Sequence, residues 1–226
     1  MRDSELGRSM AFFPLVGLVI GGLTSGIDWA ARGLWPPSIA GVVAVVFLAL
    51  LTRGLHLDGL ADTADAVASG ADRERALEIM RDSTNGALGI LAMVLVLMIK
   101  AVCAVQLSTH AAWQWFVLIP CFSRTGIVLL GAISEYARPS GGLGSPFAGR
   151  GVSRNLLLAL PTTIAAAWTL AEATGVAMLA GVVAMSAIAS LWARRRFGGT
   201  TGDILGAHVE LQEALLFLAS AAVTGA

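Results

Sequence analysis

Charged residues are scarce in this sequence. Only 13% of the 226 residues are charged and 56% are hydrophobic, whereas roughly 25% of residues are charged in ordinary soluble domains. This shortage excludes a soluble globular domain and indicates a protein of the lipid bilayer. Net charge is also absent, because 15 basic residues balance 15 acidic ones. The balance gives no support to nucleic-acid binding, so we expect no nucleic-acid partner.

Several further signals are missing. Cys103 and Cys121 lie inside apolar runs without metal-ligand spacing, which predicts small core residues. No Ala-x-Ala-like cleavage site accompanies the N-terminal apolar stretch, so we expect a retained first span rather than a signal peptide. No Walker-type lysine follows the glycine-rich run around Gly142, which excludes an ATPase of that class.

Long apolar runs, in contrast, are abundant. A helix needs about 20 apolar residues to cross the hydrocarbon core, where an open backbone finds no water to bond. Seven segments meet this need and predict an all-α, polytopic transmembrane helical bundle that forms one integral membrane domain over residues 1–226. The segments are 11–31, 38–55, 87–107, 111–134, 155–171, 175–192 and 204–223.

Arginines alternate between the loops. The loops after the second, fourth and sixth segments each hold three arginines, whereas the intervening loops hold only Arg32. The positive-inside rule therefore predicts that the arginine-rich loops and the N-terminus face the cytoplasm. We expect the bundle to lie in the inner (cytoplasmic) membrane, with its active site facing the cytoplasm. The arginines of the rich loops are Arg73, Arg75, Arg81, Arg138, Arg150, Arg154, Arg194, Arg195 and Arg196.

Three aspartates after the second segment share one face of a predicted helix. Asp58, Asp62 and Asp65, here called the acidic face, follow an i, i+4, i+7 spacing that brings their carboxylates together. Like charges so spaced destabilise a helix unless a cation neutralises them. Oxygen ligands without paired His or Cys suit magnesium or manganese better than zinc. We therefore predict a Mg²⁺ site.

An amphipathic cytoplasmic helix is predicted over residues 72–82. Arg75, Glu78 and Asp82 share its polar side. A turn ahead of this helix would bring Asp82 back toward the acidic face, which predicts a four-carboxylate pocket flanked by Arg75 and Arg81. The apolar side of the helix is expected at the membrane surface or against the bundle.

Two later stretches carry candidate substrate contacts. The glycine-rich run 135–145 lies among arginines, and glycine lets backbone N–H groups approach a phosphate that arginine binds bidentately. Asp203 and Glu210 share a helical face in the last segment, where carboxylates are costly enough to be functional by default. Thr200 or Thr201 is expected to cap this helix.

Two histidines fall near these motifs. His56 lies opposite Asp58 on a regular helix, so a role as general base stands beside a role as an interfacial cap. His208 has no second His or Cys nearby, which favours a packed or hydrogen-bonded side chain over a metal ligand.

Four strings cover much of the chain. They are F-F-P-L-V-G-L-V-I-G-G from Phe12, H-L-D-G-L-A-D-T-A-D from His56, R-A-L-E-I-M-R-D-S-T-N-G-A-L-G from Arg75 and G-G-T-T-G-D-I-L-G-A from Gly198. Together they resemble the cobalamin synthase family, also called adenosylcobinamide-GDP ribazoletransferases, over nearly the whole chain. Family members usually have a longer stretch ahead of the first string than the eleven residues found here, so we expect a truncated N-terminus or a different start.

The resemblance implies the last assembly step of coenzyme B12. The ribose hydroxyl of α-ribazole, or of its 5′-phosphate, attacks the phosphorus next to the cobinamide side chain of adenosylcobinamide-GDP, and GMP leaves. Mg²⁺ held by the aspartates would bridge the diphosphate and offset its charge.

The predicted site follows from the motifs together with this resemblance. The candidate catalytic residues are His56 and Asp58. The candidate metal ligands are Asp58, Asp62, Asp65 and Asp82. The candidate substrate-binding residues are Arg75, Glu78, Arg81, Arg124, Arg138, Gly142, Asp203 and Glu210.

Two other classes compete with this assignment. CDP-alcohol phosphatidyltransferases also use clustered aspartates on membrane helices, but Ala61-Asp62 stands here where their motif requires Ala-Arg. An ion-coupled transporter would also carry intramembrane acids, yet most acids here lie at the predicted cytoplasmic ends of spans. A homo-oligomer is compatible with the sequence.

Overall fold

A computed structural model describes residues 3–82, 84–139, 141–142 and 144–225. Helices dominate these ranges, and the one β-type pairing within them is an isolated bridge between Tyr136 and Thr200. The predicted all-α polytopic bundle is thereby confirmed. The helices are α1 (Asp3–Ser9), α2 (Phe13–Arg32), α3 (Pro37–Leu51), α4 (Leu55–Ala68), α5 (Arg73–Ile79), α6 (Ala87–Thr109), α7 (Trp113–Ile133), α8 (Leu156–Phe197) and α9 (Gly202–Thr224), with 3₁₀ turns at Met10–Phe12, Ser145–Phe147 and Arg150–Asn155.

Most of these helices suit a membrane. In the described part of the chain, five are long and apolar enough to span one, and α3 with α4 forms a sixth candidate that is bent by 85°. The five are Glu5–Arg32, Ala87–Thr109, Trp113–Ile133, Gly151–Phe197 and Gly202–Thr224.

The bend between α3 and α4 departs from the predicted segment 38–55. Helix α3 ends at Leu51, because Arg53 and Gly54 adopt φ values of 54° and 65°. Two successive left-handed residues cannot continue a right-handed helix. Helix α4 therefore turns away from α3, and we treat it as lying outside the spanning helices.

Helix α8 folds back on itself. Its backbone breaks at Glu172, where φ is 48° and ψ is −136°. A Cβ on Gly175 would lie 2.4 Å from the carbonyl oxygen of Ala167, although eight residues of straight helix span about 12 Å. The arms 156–171 and 173–197 thus lie side by side, and they match the predicted segments 155–171 and 175–192.

Helices α7 and α9 form the centre of the bundle. In the most apolar 18-residue stretch of α7 and of α9, 83% and 72% of the residues are buried, whereas the value is 22–28% in the other long helices. Helix α2 packs closely on α7, since a Cβ on Gly17 or Gly21 would lie 2.4 Å from a carbonyl oxygen of α7. Cys103 and Cys121 are free and buried, as predicted.

The two ends of the bundle differ. At one end, here called the site end, Thr200 bonds through its backbone to Glu135 and Ala137, and α4 crosses the start of α9. Exposed tryptophans mark both ends, as expected of side chains at a membrane boundary. Trp192 lies at the site end, and the opposite end carries Trp29, Trp35, Trp113 and Trp168.

Candidate active site

The candidate site forms where α4 crosses α9. Two glycines allow the close approach: a Cβ on Gly59 would lie 2.7 Å from the carbonyl oxygen of Asp203, and one on Gly206 would lie 3.3 Å from the Cα of His56. Small residues let helix backbones meet in this way. The crossing places the acidic face of α4 beside Asp203.

Asp62 is affected by the charges of three other carboxylates. Burial, followed by the carboxylates of Asp58, Asp203 and Asp65, raises the pKa of Asp62 to about 7, while the guanidinium of Arg138 opposes the rise. Like charges that crowd together resist joint ionisation. A bound cation would relieve this crowding.

Asp65 has a structural task. Its carboxylate accepts hydrogen bonds from the backbone N–H groups of Gly86, at 2.6 Å, and Gly89, at 2.8 Å. These groups begin α6, whose own N-cap residue supplies no side-chain bond. Asp65 thus caps α6 from another helix, where a negative charge is favoured. A Cβ on either glycine would collide with this carboxylate.

Asp82 stands apart from the other predicted ligands. Its exposed carboxylate accepts hydrogen bonds from the hydroxyl and the backbone N–H of Thr84 at 2.7 and 3.1 Å, and these bonds lower its pKa. Asp203, and not Asp82, is among the carboxylates that raise the pKa of Asp62. Asp58, Asp203 and Asp65 are thus the carboxylates whose charge reaches Asp62.

Arg138 and Thr201 hold Asp203. The guanidinium of Arg138 donates to the Asp203 carboxylate at 2.9 Å, and the Thr201 hydroxyl donates to the same oxygen at 3.2 Å. Thr201 also accepts the N–H of Ile204 at 3.2 Å, which makes it the cap of α9. Two candidate substrate-binding residues, Arg138 and Asp203, are thus in direct contact.

The glycine-rich run lies against the start of α9. A Cβ on Gly144 would lie 2.7 Å from the backbone nitrogen of Gly202, and one on Gly142 would lie 2.6 Å from the Tyr136 hydroxyl. Gly142 itself is exposed. This placement brings Gly142 and Gly144 of the predicted phosphate-binding run to the site end, where Arg138 of the same run contacts Asp203.

Helix α5 is shorter than predicted. Arg75 and Glu78 are exposed and pair with each other at 2.9 Å, and Arg81 is exposed just beyond the helix. The buried Ala76 and Met80 pack into the bundle core, so the apolar side of α5 lies against the bundle.

A cavity of about 680 Å³ opens at the bend between α3 and α4. The exposed Asp58 lines it, together with Asn85 and Met93 of the segment that begins α6. Its volume falls within the range of about 300–1,000 Å³ that is typical of ligand sites.

A buried ion network lies deeper in the bundle. Lys100, the only lysine of the chain, donates to Glu210 at 2.5 Å and to Glu213 at 2.7 Å. Arg124 donates to Glu213 and, at 2.9 Å, to Ser123. The predicted substrate ligands Arg124 and Glu210 are therefore engaged inside the protein. Lys100 and Glu213 were not among the predicted site residues, although an ionisable residue within an apolar span is itself a signal.

His56 faces this network rather than the acidic face. Its ring is half-buried, and Nδ1 is enclosed without a hydrogen-bond partner among the described residues. Burial lowers the pKa of His56 to about 4, Arg124 and Lys100 act in the same direction, and Glu213 opposes them. Arg124, Lys100 and Glu213 do not line the cavity that contains Asp58.

His208 is bonded, as predicted. Its Nε2 lies 3.0 Å from the Ser186 hydroxyl. Gln212 donates to the same hydroxyl at 3.2 Å, so these side chains join α9 to the second arm of α8.

The donor set fits a cation only in part. Within the described ranges, no three His, Cys, Asp or Glu side chains converge closely enough to hold a metal ion by themselves. Mg²⁺ usually keeps several waters and binds through one or two carboxylates plus substrate phosphates. Asp58, which lines an open cavity, and Asp62, one turn further along α4, suit this second arrangement.

Comparison with known proteins decides the family. The family model of cobalamin-5-phosphate synthase matches residues 1–221. The chain belongs to this family. The resemblance found in the four sequence strings is thereby confirmed.

Three curated relatives, each named adenosylcobinamide-GDP ribazoletransferase, agree with the family match. The protein of Geotalea daltonii is 38% identical over 224 residues, which cover 99% of this chain and 90% of the relative. That of Syntrophobacter fumaroxidans is 40% identical over 98% of this chain and 89% of the relative. That of Pseudomonas syringae is 40% identical over 95% and 88%. No solved structure matches the chain.

Proposed function

We propose that this protein transfers the cobinamide-phosphate group of adenosylcobinamide-GDP to α-ribazole or α-ribazole 5′-phosphate. The products are GMP and adenosylcobalamin or its 5′-phosphate, which completes the nucleotide loop of coenzyme B12. The family match over residues 1–221 carries the proposal. The carboxylates around Asp62, with Arg138 beside them, support it as a place for a charged diphosphate.

The reaction exchanges one phosphorus–oxygen bond for another. The ribose oxygen of the acceptor bonds to the phosphorus next to cobinamide, and the phosphoanhydride bond to GMP breaks with its electron pair on GMP. The proton of the attacking hydroxyl passes to a base, for which Asp58 is our candidate because it is exposed in the cavity. Arg138 is proposed to contact the phosphates, since its guanidinium already lies at the site.

Mg²⁺ is the proposed cofactor. Asp58 and Asp62 would hold it with the substrate diphosphate, and it would offset charge on the leaving phosphate. Asp203 would help to fix the site through its contact with Arg138. Asp65 is assigned to the cap of α6 instead, because its carboxylate already accepts two backbone N–H groups.

The site is proposed to face the cytoplasm from the inner membrane. The arginine-rich loops lie at the site end, and a corrinoid with a nucleotide tail is too polar to enter the bilayer. Single cysteines near Ala71, Ser145 and Gly198 should react with an impermeant thiol reagent only from the cytoplasm. Labelling of any of them from outside would overturn this orientation.

Purified protein in nanodiscs tests the reaction. With adenosylcobinamide-GDP, α-ribazole and Mg²⁺, GMP and a cobalamin product should appear in a one-to-one ratio. Release of GMP at the same rate without ribazole would indicate a hydrolase. Turnover of a CDP-alcohol would favour the phosphatidyltransferase class, and ion flux without GMP release would favour a transporter.

Three matched variants test the assignment of the carboxylates. Asp58→Asn and Asp62→Asn should abolish transfer while the protein stays folded, and EDTA should abolish it until Mg²⁺ is restored. Asp82→Asn should retain most of the activity, because Asp82 is exposed and bonded to Thr84. Near wild-type turnover of Asp58→Asn would contradict the proposed site.

A further inference from the structure

A second surface feature lies behind the acidic face. A lateral groove of about 570 Å³ runs between α4, α6, the second arm of α8 and α9, and its lining is almost entirely apolar. Representative lining residues are Leu60, Ala64, Val67, Ala92, Ile188 and Trp192.

The groove and the acidic face are opposite sides of one helix. Leu60, Ala64 and Val67 follow an i, i+4, i+7 spacing, offset by two residues from the aspartates. Two residues of α-helix correspond to a rotation of about 200°. Whatever fills the groove therefore packs against the back of the helix that carries Asp58 and Asp62.

Three of the four walls of the groove, α6, the second arm of α8 and α9, belong to helices that are long and apolar enough to span a membrane. The rim of the groove is exposed, with 69% of Ile188, 51% of Leu88 and 43% of Leu211 accessible. Exposed apolar side chains at the level of such helices meet hydrocarbon rather than water. An occupant must accordingly be apolar along its length.

An arginine follows the groove-lining residues of α8 toward the site end. Ile188, Trp192 and Arg195 succeed one another at i, i+4 and i+7 on the second arm of α8, and Arg195 is exposed. The next residue, Arg196, donates to the carbonyl of Ala71 at 2.6 Å and fixes the end of α8 beside the turn after α4. Exposed arginine at a membrane surface attracts anionic lipid head groups.

We propose that this groove binds one chain of an anionic phospholipid, with its phosphate at Arg195, and that this lipid supports α4 from behind. An apolar channel with one cationic end matches the chemistry of such a lipid. The lipid would lie on the side of α4 that faces away from Asp58 and Asp62, and its binding does not require the transfer reaction.

Quenching of Trp192 fluorescence tests the proposal. The Trp192 signal is the difference between the wild-type protein and Trp192→Phe, both in nanodiscs. At a low mole fraction in a zwitterionic bilayer, phosphatidylglycerol with brominated chains should quench this signal several-fold more than brominated phosphatidylcholine does. Equal quenching by the two lipids would indicate ordinary surrounding lipid and overturn the proposal.

Two arginine variants separate a bound lipid from general surface charge. Arg195→Gln should remove the preference for phosphatidylglycerol, whereas Arg194→Gln, which loses the same charge one residue off the groove face, should keep it. Equal effects of the two variants would overturn the assignment of the head group.

Filling the groove tests the chain position. Ala189→Phe should remove the preferential quenching, and Ala187→Phe, an exposed position outside the groove, should not. Native mass spectrometry of both variants shows whether each is folded and counts bound lipids. A dimer whose formation protects Trp192 from every lipid would assign the groove to a second copy and overturn the proposal.

Discussion

Gly59 of α4 and Asp203 of α9 meet so closely that a Cβ on Gly59 would lie 2.7 Å from the carbonyl oxygen of Asp203. The contact joins the motif that carries Asp58, Asp62 and Asp65 to the motif that carries Asp203. It also determines how far Asp58 and Asp62 lie from Asp203, because both neighbour Gly59 on α4. The positions of these carboxylates therefore depend on a residue without a side chain.

Gly59→Ala should impair transfer far more than an ordinary glycine substitution. The new methyl group must push α4 away from α9, and a displacement of about 1 Å at a reacting centre costs roughly 10²-fold in rate. Gly22→Ala is the control, since a Cβ at Gly22 would meet no atom within 4 Å. Turnover and the thermal midpoint of both variants should be measured. Equal turnover of the two variants would contradict the proposed importance of the crossing.

The raised pKa of Asp62 should make stability fall with pH when no divalent cation is present. The folded protein holds the Asp62 proton up to about pH 7, whereas the group ordinarily releases it near 3.8. The stability that the folded protein gains by holding this proton is thus fully present below about pH 4, and it is lost as the pH rises to about 7. Thermal midpoints in EDTA should show this fall, and Asp62→Asn should reduce it.

The effect of Mg²⁺ on the thermal midpoint tests the same charge at Asp62. Added to the wild-type protein above pH 7, Mg²⁺ should raise the thermal midpoint, because the cation offsets the crowded carboxylates. It should raise that of Asp62→Asn less. If the thermal midpoints of the wild type and Asp62→Asn depend on pH identically, in EDTA and in Mg²⁺, the raised pKa does not belong to Asp62.

The buried ion network should show strong coupling between its members. Lys100→Met leaves two buried carboxylates, Glu210 and Glu213, with Arg124 as the one remaining positive charge of the network. Removal of one partner from a buried ion pair costs about 3–5 kcal/mol. Adding Glu210→Gln restores electrical balance and should recover much of that stability. Thermal unfolding of the two single variants and the double variant measures the coupling. Additive losses would show that the two side chains do not interact.

The helices and the acidic pattern were predictable because they depend on local sequence. Apolar runs of about 20 residues and an i, i+4, i+7 spacing are properties of neighbouring residues. The bend at Arg53 was not predictable in this way, since arginine has no local preference for a positive φ. The end of α3 at Leu51 follows from that bend.

The partners within the site depend on contacts between distant parts of the chain. Asp203 lies beside Asp62 because Gly59 and Gly206 let two helices cross, and no spacing within either motif shows which helices meet. Lys100 and Glu210 are 110 positions apart in sequence. A single sequence reveals that such charges are costly inside a span, but not which of them pair.

A final prediction concerns His56, whose two roles leave different kinetic signatures. Since its pKa is lowered to about 4 and the nearby charges are those of Arg124, Glu213 and Lys100, we expect it to position α4 against α9. His56→Asn, which keeps a polar side chain of similar reach, should then retain more activity than His56→Ala, and the pH profile should keep its shape in both. A general base in contact with substrate would instead lose about 10²-fold or more in turnover in both variants, with the acidic limb of the profile flattened. Measuring turnover against pH for the three proteins separates the roles, because a positioning residue changes the size of the rate but not the group whose titration limits it.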